Sequence, residues 1–212
     1  WTRATTTGST ATTLTAAATT SDLRRGLHVI YFYATDGSAH IGGISAYMFV
    51  VRPPARFVDL DGDWKTDMSV FRPGPGEWWC LKSSSGGNWA AQFGSATDTL
   101  TPADFTGDGK TDIAFFRPST GYWYVLRSDD YSYYAFPFGS SGDIPAPADF
   151  DGDGKDDAAV FRESAATWYI SRSSGGTDIV GFGAAGDKPV NADYDGDGKA
   201  DIAIYRPNGP GG

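Results

Sequence analysis

The sequence predicts an all-β protein. It reads as β-propeller blades of about four antiparallel strands, three full and a partial fourth, after a separate β segment at the start. Three observations predict this. One sixteen-residue motif occurs four times at a near-constant spacing. Of the 26 acids, all but Glu77 and Glu163 are Asp, a poor interior helix former. The 28 Gly and 12 Pro supply turns between short apolar stretches.

The motif reads VDLDGDWKTDMSVFRP from Val58, ADFTGDGKTDIAFFRP from Ala103, ADFDGDGKDDAAVFRE from Ala148 and ADYDGDGKADIAIYRP from Ala192. The first Asp of each is Asp59, Asp104, Asp149 and Asp193, at spacings of 45, 45 and 44 residues. A fixed period of this length marks a stacked supersecondary unit. The rest of the unit repeats as well. An apolar strand ends at Phe71-Arg72, Phe116-Arg117, Phe161-Arg162 or Tyr205-Arg206. An aromatic strand follows at Trp78–Leu81, Trp123–Leu126 and Trp168–Ile170. A third strand ends at Phe93-Gly94, Phe138-Gly139 and Phe182-Gly183, and a short extended stretch leads on through Asp98, Asp143 or Asp187. The blades therefore span about 54–98, 99–143, 144–187 and 188–212, within one region, 54–212.

The strand after each acidic loop is apolar on both faces, as for a strand covered on both sides. Its second residue is small (Ser69, Ala114, Ala159, Ala203), which fits the narrow inner strand of a radial array. Cys80 aligns with Val125 and Ile170 and reads as a small buried hydrophobe.

Each loop runs Asp-x-Asp-Gly-Asp-x-Lys-x-Asp, with Thr106 and Trp64 as departures. Side chains at positions 1, 3, 5 and 9 converge when the chain wraps a sphere, and the carbonyl of position 7 can fill a gap. The candidate ligands are Asp59, Asp61, Asp63, Lys65 and Asp67; Asp104, Thr106, Asp108, Lys110 and Asp112; Asp149, Asp151, Asp153, Lys155 and Asp157; and Asp193, Asp195, Asp197, Lys199 and Asp201. The lysines serve through the backbone carbonyl, their ammonium groups pointing to solvent. An all-oxygen set on a flexible loop suits Ca²⁺ better than Mg²⁺. Positions 1, 3, 5 and 9 of the four loops hold 15 of the acids, and four Ca²⁺ would bring the formal charge from -9 to -1. This is not an EF-hand, because position 12 is an apolar strand residue (Val70, Phe115, Val160, Ile204) rather than a bidentate Glu. Loop two loses a charge at Thr106, for which a hydroxyl or water could substitute. Loop one places Trp64 where the others have Gly, a strain if that position needs positive φ. Loops three and four are expected to bind tightest.

At these residues the sequence resembles the FG-GAP/VCBS repeat family, the calcium-binding β-propeller blades also found in integrin α-subunit heads. The resemblance spans Ala55 to Pro207. It implies four-stranded blades, Ca²⁺ in inter-strand loops, and an extracellular or cell-surface location. Trp64, Thr106 and Glu163, which replaces the usual Pro, depart from the pattern.

Residues 1–53 differ. Thr10–Ala16, His28–Thr35 and Ile44–Arg52 read as strands, and the run GLHVIYFYATDGS is similar to the late strands of bacterial Ig-like or fibronectin-like domains. Only about half such a domain is present. His28 and His40 read as ordinary strand and loop residues. Ten of the first twenty residues are Thr, which suits surface strands or an O-glycosylated stalk; there is no Asn-x-Ser/Thr sequon. Both ends are abrupt. The chain is a window on a longer one, or its first strands close the last blade, or a neighbouring copy supplies the missing strands in a head-to-tail fibre.

The acidic balance argues against a nucleic-acid partner. The longest apolar run, Ala46–Val51, is too short to span a bilayer. One cysteine permits no intrachain disulfide and no Cys-based zinc site. The first functional expectation is a non-catalytic, Ca²⁺-stabilised extracellular structural or adhesion module, with self-association head to tail. The second is a domain that binds a glycan or cell-surface protein, using Trp89, Tyr131, Tyr133 and Tyr134, which would equally pack between blades. An enzyme fares worst, since the repeats lack His and only an unsupported Glu77/Glu163 carboxylate pair offers itself.

Overall fold

The structure is a computed structural model that describes residues 26–32, 45–51 and 58–207. The chain divides into two compact units, 1–53 and 54–212. In the first, strands β1 (Gly26–Phe32) and β2 (Ser45–Val51) pair antiparallel, with His28 opposite Phe49. The expected strand Thr10–Ala16, the Thr-rich start and His40 lie outside the described residues.

The second unit is a series of antiparallel sheets, one per repeat. Blade one consists of β3 (Met68–Arg72), β4 (Glu77–Leu81) and β5 (Asn88–Gln92). Blade two runs β6 (Thr99–Leu100), β7 (Ile113–Arg117), β8 (Tyr122–Leu126) and β9 (Tyr133–Pro137) in that spatial order. Blade three repeats it with β10 (Ile144–Pro145), β11 (Ala158–Arg162), β12 (Thr167–Ser171) and β13 (Thr177–Gly181). Blade four shows β14 (Lys188–Pro189) and β15 (Ile204–Tyr205). The protein is thus all-β, of propeller-blade type. Two blades have all four strands, and blade one has three among the described residues. In blades two and three the strand after the acidic loop is not the end strand of the sheet. A two-residue strand precedes the loop and pairs outside it, Thr99 opposite Phe116 and Ile144 opposite Phe161.

The blades are held by apolar seams. Between blades two and three, Phe105, Ala114, Phe116, Trp123 and Val125 pack with Ala158 and Val160. Phe161 and Trp168 of blade three form the next seam with Phe150, Ile202 and Ile204. Each fully buried aromatic contributes about 1.5–3 kcal/mol of transfer free energy. The motif residues explain one another. Trp78 and Trp123 donate Nε1–H to the carbonyls of Phe93 and Phe138, at 2.9 and 2.8 Å. The Gly of each Phe-Gly pair has φ of 112–113°, and a Cβ on it would lie 3.2–3.3 Å from Phe115, Phe116 or Phe161. Cys80 is buried, accepts a hydrogen bond from Ser69 Oγ at 3.1 Å, and has its thiol pKa pushed up by burial.

Candidate metal centres in the acidic loops

Each acidic loop is pinched shut at its neck. The N–H of its ninth residue donates to the carbonyl just before the loop: Asp67 to Val58, Asp112 to Ala103, Asp157 to Ala148 and Asp201 to Ala192, at 2.6–2.8 Å. Inside the neck the first Asp takes over as acceptor, which is how Asp drives tight turns. Asp59 Oδ1 accepts from the Gly62 N–H at 2.7 Å and Oδ2 from the Trp64 N–H at 2.8 Å. Asp104, Asp149 and Asp193 repeat the pattern. This wrap requires positive φ at positions 4 and 6. Trp64 obeys at φ 70°, beside 82°, 92° and 100° for Gly109, Gly154 and Gly198, so the strain expected at Trp64 is present.

The ninth Asp ties the loop to its own blade. Asp67 Oδ2 accepts from the Leu60 N–H and Oδ1 from the Ser83 N–H in the β4–β5 hairpin, both at 2.8 Å. Ser128 and Ser173 donate likewise to Asp112 and Asp157. The same serines turn their hydroxyls to the fifth Asp, at 2.8 Å for Asp63, 3.0 Å for Asp108 and 2.6 Å for Asp153. Ser84 and Ser174 hydroxyls hold the third Asp, Asp61 and Asp151. Sequence reasoning missed these serines. The signal was their fixed offset after each Trp strand.

In loop one, Asp59, Asp61 and Asp67 bring one oxygen each within 4.8 Å of one another; in loop three, Asp149, Asp151 and Asp157 do the same. Loop four gathers Asp193, Asp195 and Asp197 instead, in a more exposed setting. Three of the four acids at positions 1, 3, 5 and 9 thus gather in each of these loops. Position 5 in loops one and three is turned toward a hairpin serine, and in loop four Asp201 Oδ2 accepts from the Tyr194 N–H at 2.8 Å. Loop two forms no such group among the described residues. The Thr106 hydroxyl lies 3.4 Å from Asp104 Oδ1 and 3.5 Å from Asp112 Oδ1, a hydroxyl where loops one and three have a carboxylate. Lys65, Lys110, Lys155 and Lys199 each donate their N–H to the fifth Asp at 2.8–2.9 Å.

Asp59, Asp67, Asp104, Asp112, Asp149 and Asp157 are all buried. Burial, reinforced by neighbouring carboxylates, pushes Asp149 above the usual carboxylate range and Asp157 up to about 6. Asp104 and Asp112 are raised for the same reasons. Asp63, half-buried, is lowered chiefly by the Ser83 hydroxyl.

The loops also contact one another. Position 8 reaches back to the first Asp of the preceding blade: the Thr111 N–H donates to Asp59 O at 2.7 Å while Thr111 Oγ1 accepts from the Asp59 N–H at 2.9 Å. Asp156 repeats this with Asp104, both bonds at 2.7 Å, and burial pushes its carboxyl up to about 7. Ala200 N–H donates to Asp149 O at 2.7 Å, with no side-chain return. The lysine stems do not simply run to solvent. Those of Lys110, Lys155 and Lys199 lie over Gly62, Gly107 and Gly152 of the preceding loop.

A second repeated device stands beside the loops. Arg117, Arg162 and Arg206 grip Asp98, Asp143 and Asp187 through Nε and Nη2 at 2.7–2.8 Å. Such bidentate pairs fix a geometry as well as a charge. The candidate sugar-stacking aromatics divide. Trp89 stacks on Tyr131 of the next blade at 5.8 Å, and Tyr133 meets Phe93 at 6.1 Å. Tyr134 packs on Phe136, while Tyr131 and Tyr133 remain exposed. Glu77 and Glu163 are each occupied locally, Glu77 by Arg72 at 3.8 Å and Glu163 by Lys188 at 2.9 Å. No helix among the described residues is long and apolar enough to cross a membrane.

No curated protein matches the chain. Among solved structures, a streptogramin B lyase is similar over 89% of this chain and 70% of its own, at 16% identity and a TM-score of 0.45. A family model described as FG-GAP-like repeat matches residues 104–160 and 149–204. These two stretches begin at the first Asp of loops two and three and run on into the next blade, so the chain carries FG-GAP-like repeats at the acidic loops just described.

Proposed function

We propose that this chain is a non-catalytic, Ca²⁺-stabilised structural or adhesion module of an extracellular or cell-surface protein. The observation that carries the reading is the gathering of three carboxylates in loops one, three and four. Ca²⁺–O distances of about 2.3–2.6 Å allow two ligands on one ion to stand up to about 5 Å apart. The 4.8 Å limit on each group meets that requirement. The donor set is entirely hard oxygen, which suits Ca²⁺ and disfavours zinc or copper. A carboxylate oxygen that accepts one N–H or O–H retains a lone pair, so such hydrogen bonds orient the donors without consuming them. The ion would be held by Asp59, Asp61 and Asp67, by Asp149, Asp151 and Asp157, and by Asp193, Asp195 and Asp197, with the position-7 carbonyl as a further donor. It would supply the positive charge that the buried acids lack.

The work of the site is mechanical. The ninth Asp joins each loop to its own hairpin, and position 8 joins it to the preceding blade, so a cation in the loop stiffens both connections. FG-GAP-like repeats, in the resemblance above, belong to extracellular or cell-surface propellers, which supports the location. Head-to-tail association fits the same reading. Met68 and Val70 are 71% and 56% exposed, whereas Ile113, Phe115, Ala158 and Val160 at the same register are buried at 4% or less. Thermal unfolding with and without Ca²⁺ tests the proposal. A ligand at 100 Kd adds about 2.7 kcal/mol per site, so EGTA lowers the Tm and Asp157→Ala shrinks the difference. An unchanged Tm on chelation would contradict it.

A second reading, glycan binding, has one specific observation behind it. Tyr131 holds φ 58° and stays 56% exposed, in a hairpin whose counterpart in blade one turns at Gly86. A left-handed conformation costs a non-Gly residue about 1–2 kcal/mol, and the ring, stacked on Trp89 on one side, stays exposed to a further stacking partner. Loss of glycan-array binding in Tyr131→Ser and Tyr133→Ser would support this reading, and an array silent for the unsubstituted chain would end it.

A further inference from the structure

We propose that blade one of one copy seats on blade four of a second copy, where two exposed faces complete a seam of the kind that already joins the blades within the chain. This names the surfaces for the head-to-tail association in the reading above and rests on it.

Inside the chain, the junctions between blades share three parts. The first is apolar. Phe105, at position 2 of its loop, and Phe116, just before the strand-ending Arg, are 9% and 0% exposed in blade two and pack with Ala158 and Val160 of blade three. The second is a lysine. Lys110, Lys155 and Lys199 cross to the preceding loop, their Cγ atoms 3.2, 2.8 and 3.1 Å from where a Cβ would stand on Gly62, Gly107 and Gly152. The third is the bond from position 8 to the first Asp of the loop before it.

Blade four presents one half of such a junction. Tyr194 and Tyr205 stand in the register of Phe105 and Phe116, but they are 64% and 57% exposed. Gly196 stands in the register of the three covered glycines, with nothing within 4 Å of its Cβ position. Blade one presents the other half. Met68 and Val70 stand in the register of Ala158 and Val160 and are exposed. The side chain of Lys65, in the register of the crossing lysines, is 73% exposed. Thr66, at position 8, is exposed and is the same residue type as Thr111, which both donates to and accepts from Asp59.

A general apolar partner would meet only the first of these parts. A second copy meets all three, at the spacing the chain already uses between its own loops. Tyr and Met are residue types enriched where chains meet. Because the two faces differ, the contact is heterologous and builds a ring or a filament.

Sedimentation velocity of the full chain in calcium-containing buffer, over a range of concentrations, tests this. The unsubstituted chain is expected to shift to dimers or larger species as concentration rises. Val70→Lys alone and Tyr205→Lys alone stay monomeric. An equimolar mixture of the two forms a species of twice the chain mass and nothing larger, because each variant keeps one intact face; misfolded copies would not regain this. An unsubstituted chain that stays monomeric, single variants that associate as it does, or a mixture that stays monomeric overturns the proposal. A monomer whose Tm still falls with EGTA overturns the proposal alone, whereas a Tm indifferent to EGTA strikes the metal reading separately.

Discussion

Gly107 shows how much one residue carries in these loops. It takes φ 76°, and a Cβ on it would lie 2.8 Å from Lys155 Cγ in the next blade. Gly196, at the same position in loop four, takes φ 82° with nothing within 4 Å. Gly196→Ala therefore costs only the left-handed conformation, about 1–2 kcal/mol. Gly107→Ala costs that and the displacement of a lysine stem, and adding Lys155→Ala removes the extra part. Urea unfolding of the three variants checks it, and equal losses for the two single substitutions would contradict it. The turn role of these glycines was legible in the sequence, because Asp-Gly-Asp-Gly is turn chemistry. The lysine contact was not, since the partner lies 48 residues along and a lysine beside acids reads as a solvent charge. Trp64 is the converse case. Its positive φ followed from aligning it with three glycines, but its ring lying over Gly109 of the next loop did not.

At the scale of elements, the period made most of the fold visible. Four aligned copies expose which strand is apolar, which carries Trp and where Phe-Gly ends the third, and the β7–β8–β9 and β11–β12–β13 pairings follow that order. The two-residue strands β6, β10 and β14 were too short to show a pattern, so the post-loop strand was placed at the narrow end of the sheet. The Asp–Arg grip was half legible. Both partners were noted as repeated, but 19 residues separate them, and only the pairing of β6 with β7 and of β10 with β11 brings them together. The convergence of the loop acids was legible in kind but not in detail. A spacing rule cannot tell that a hairpin serine draws the fifth Asp aside, nor that loop four gathers a different trio from loops one and three.

Over the whole molecule, two continuous features run from blade to blade. One is apolar, the succession of Phe and Trp seams. The other is polar, the chain of contacts in which each loop's eighth residue bonds to the first Asp of the loop before it. Loops one to four are joined in this way through Thr111, Asp156 and Ala200. A cation in one loop therefore braces a structure that extends into the next, and the central claim is that cations occupy this polar chain. Anomalous scattering from crystals grown in calcium tests that claim most directly. The account predicts peaks enclosed by Asp59, Asp61 and Asp67, by Asp149, Asp151 and Asp157, and by Asp193, Asp195 and Asp197. Well-ordered loops with no anomalous peak, their aspartates holding only backbone amides and serine hydroxyls, would contradict it.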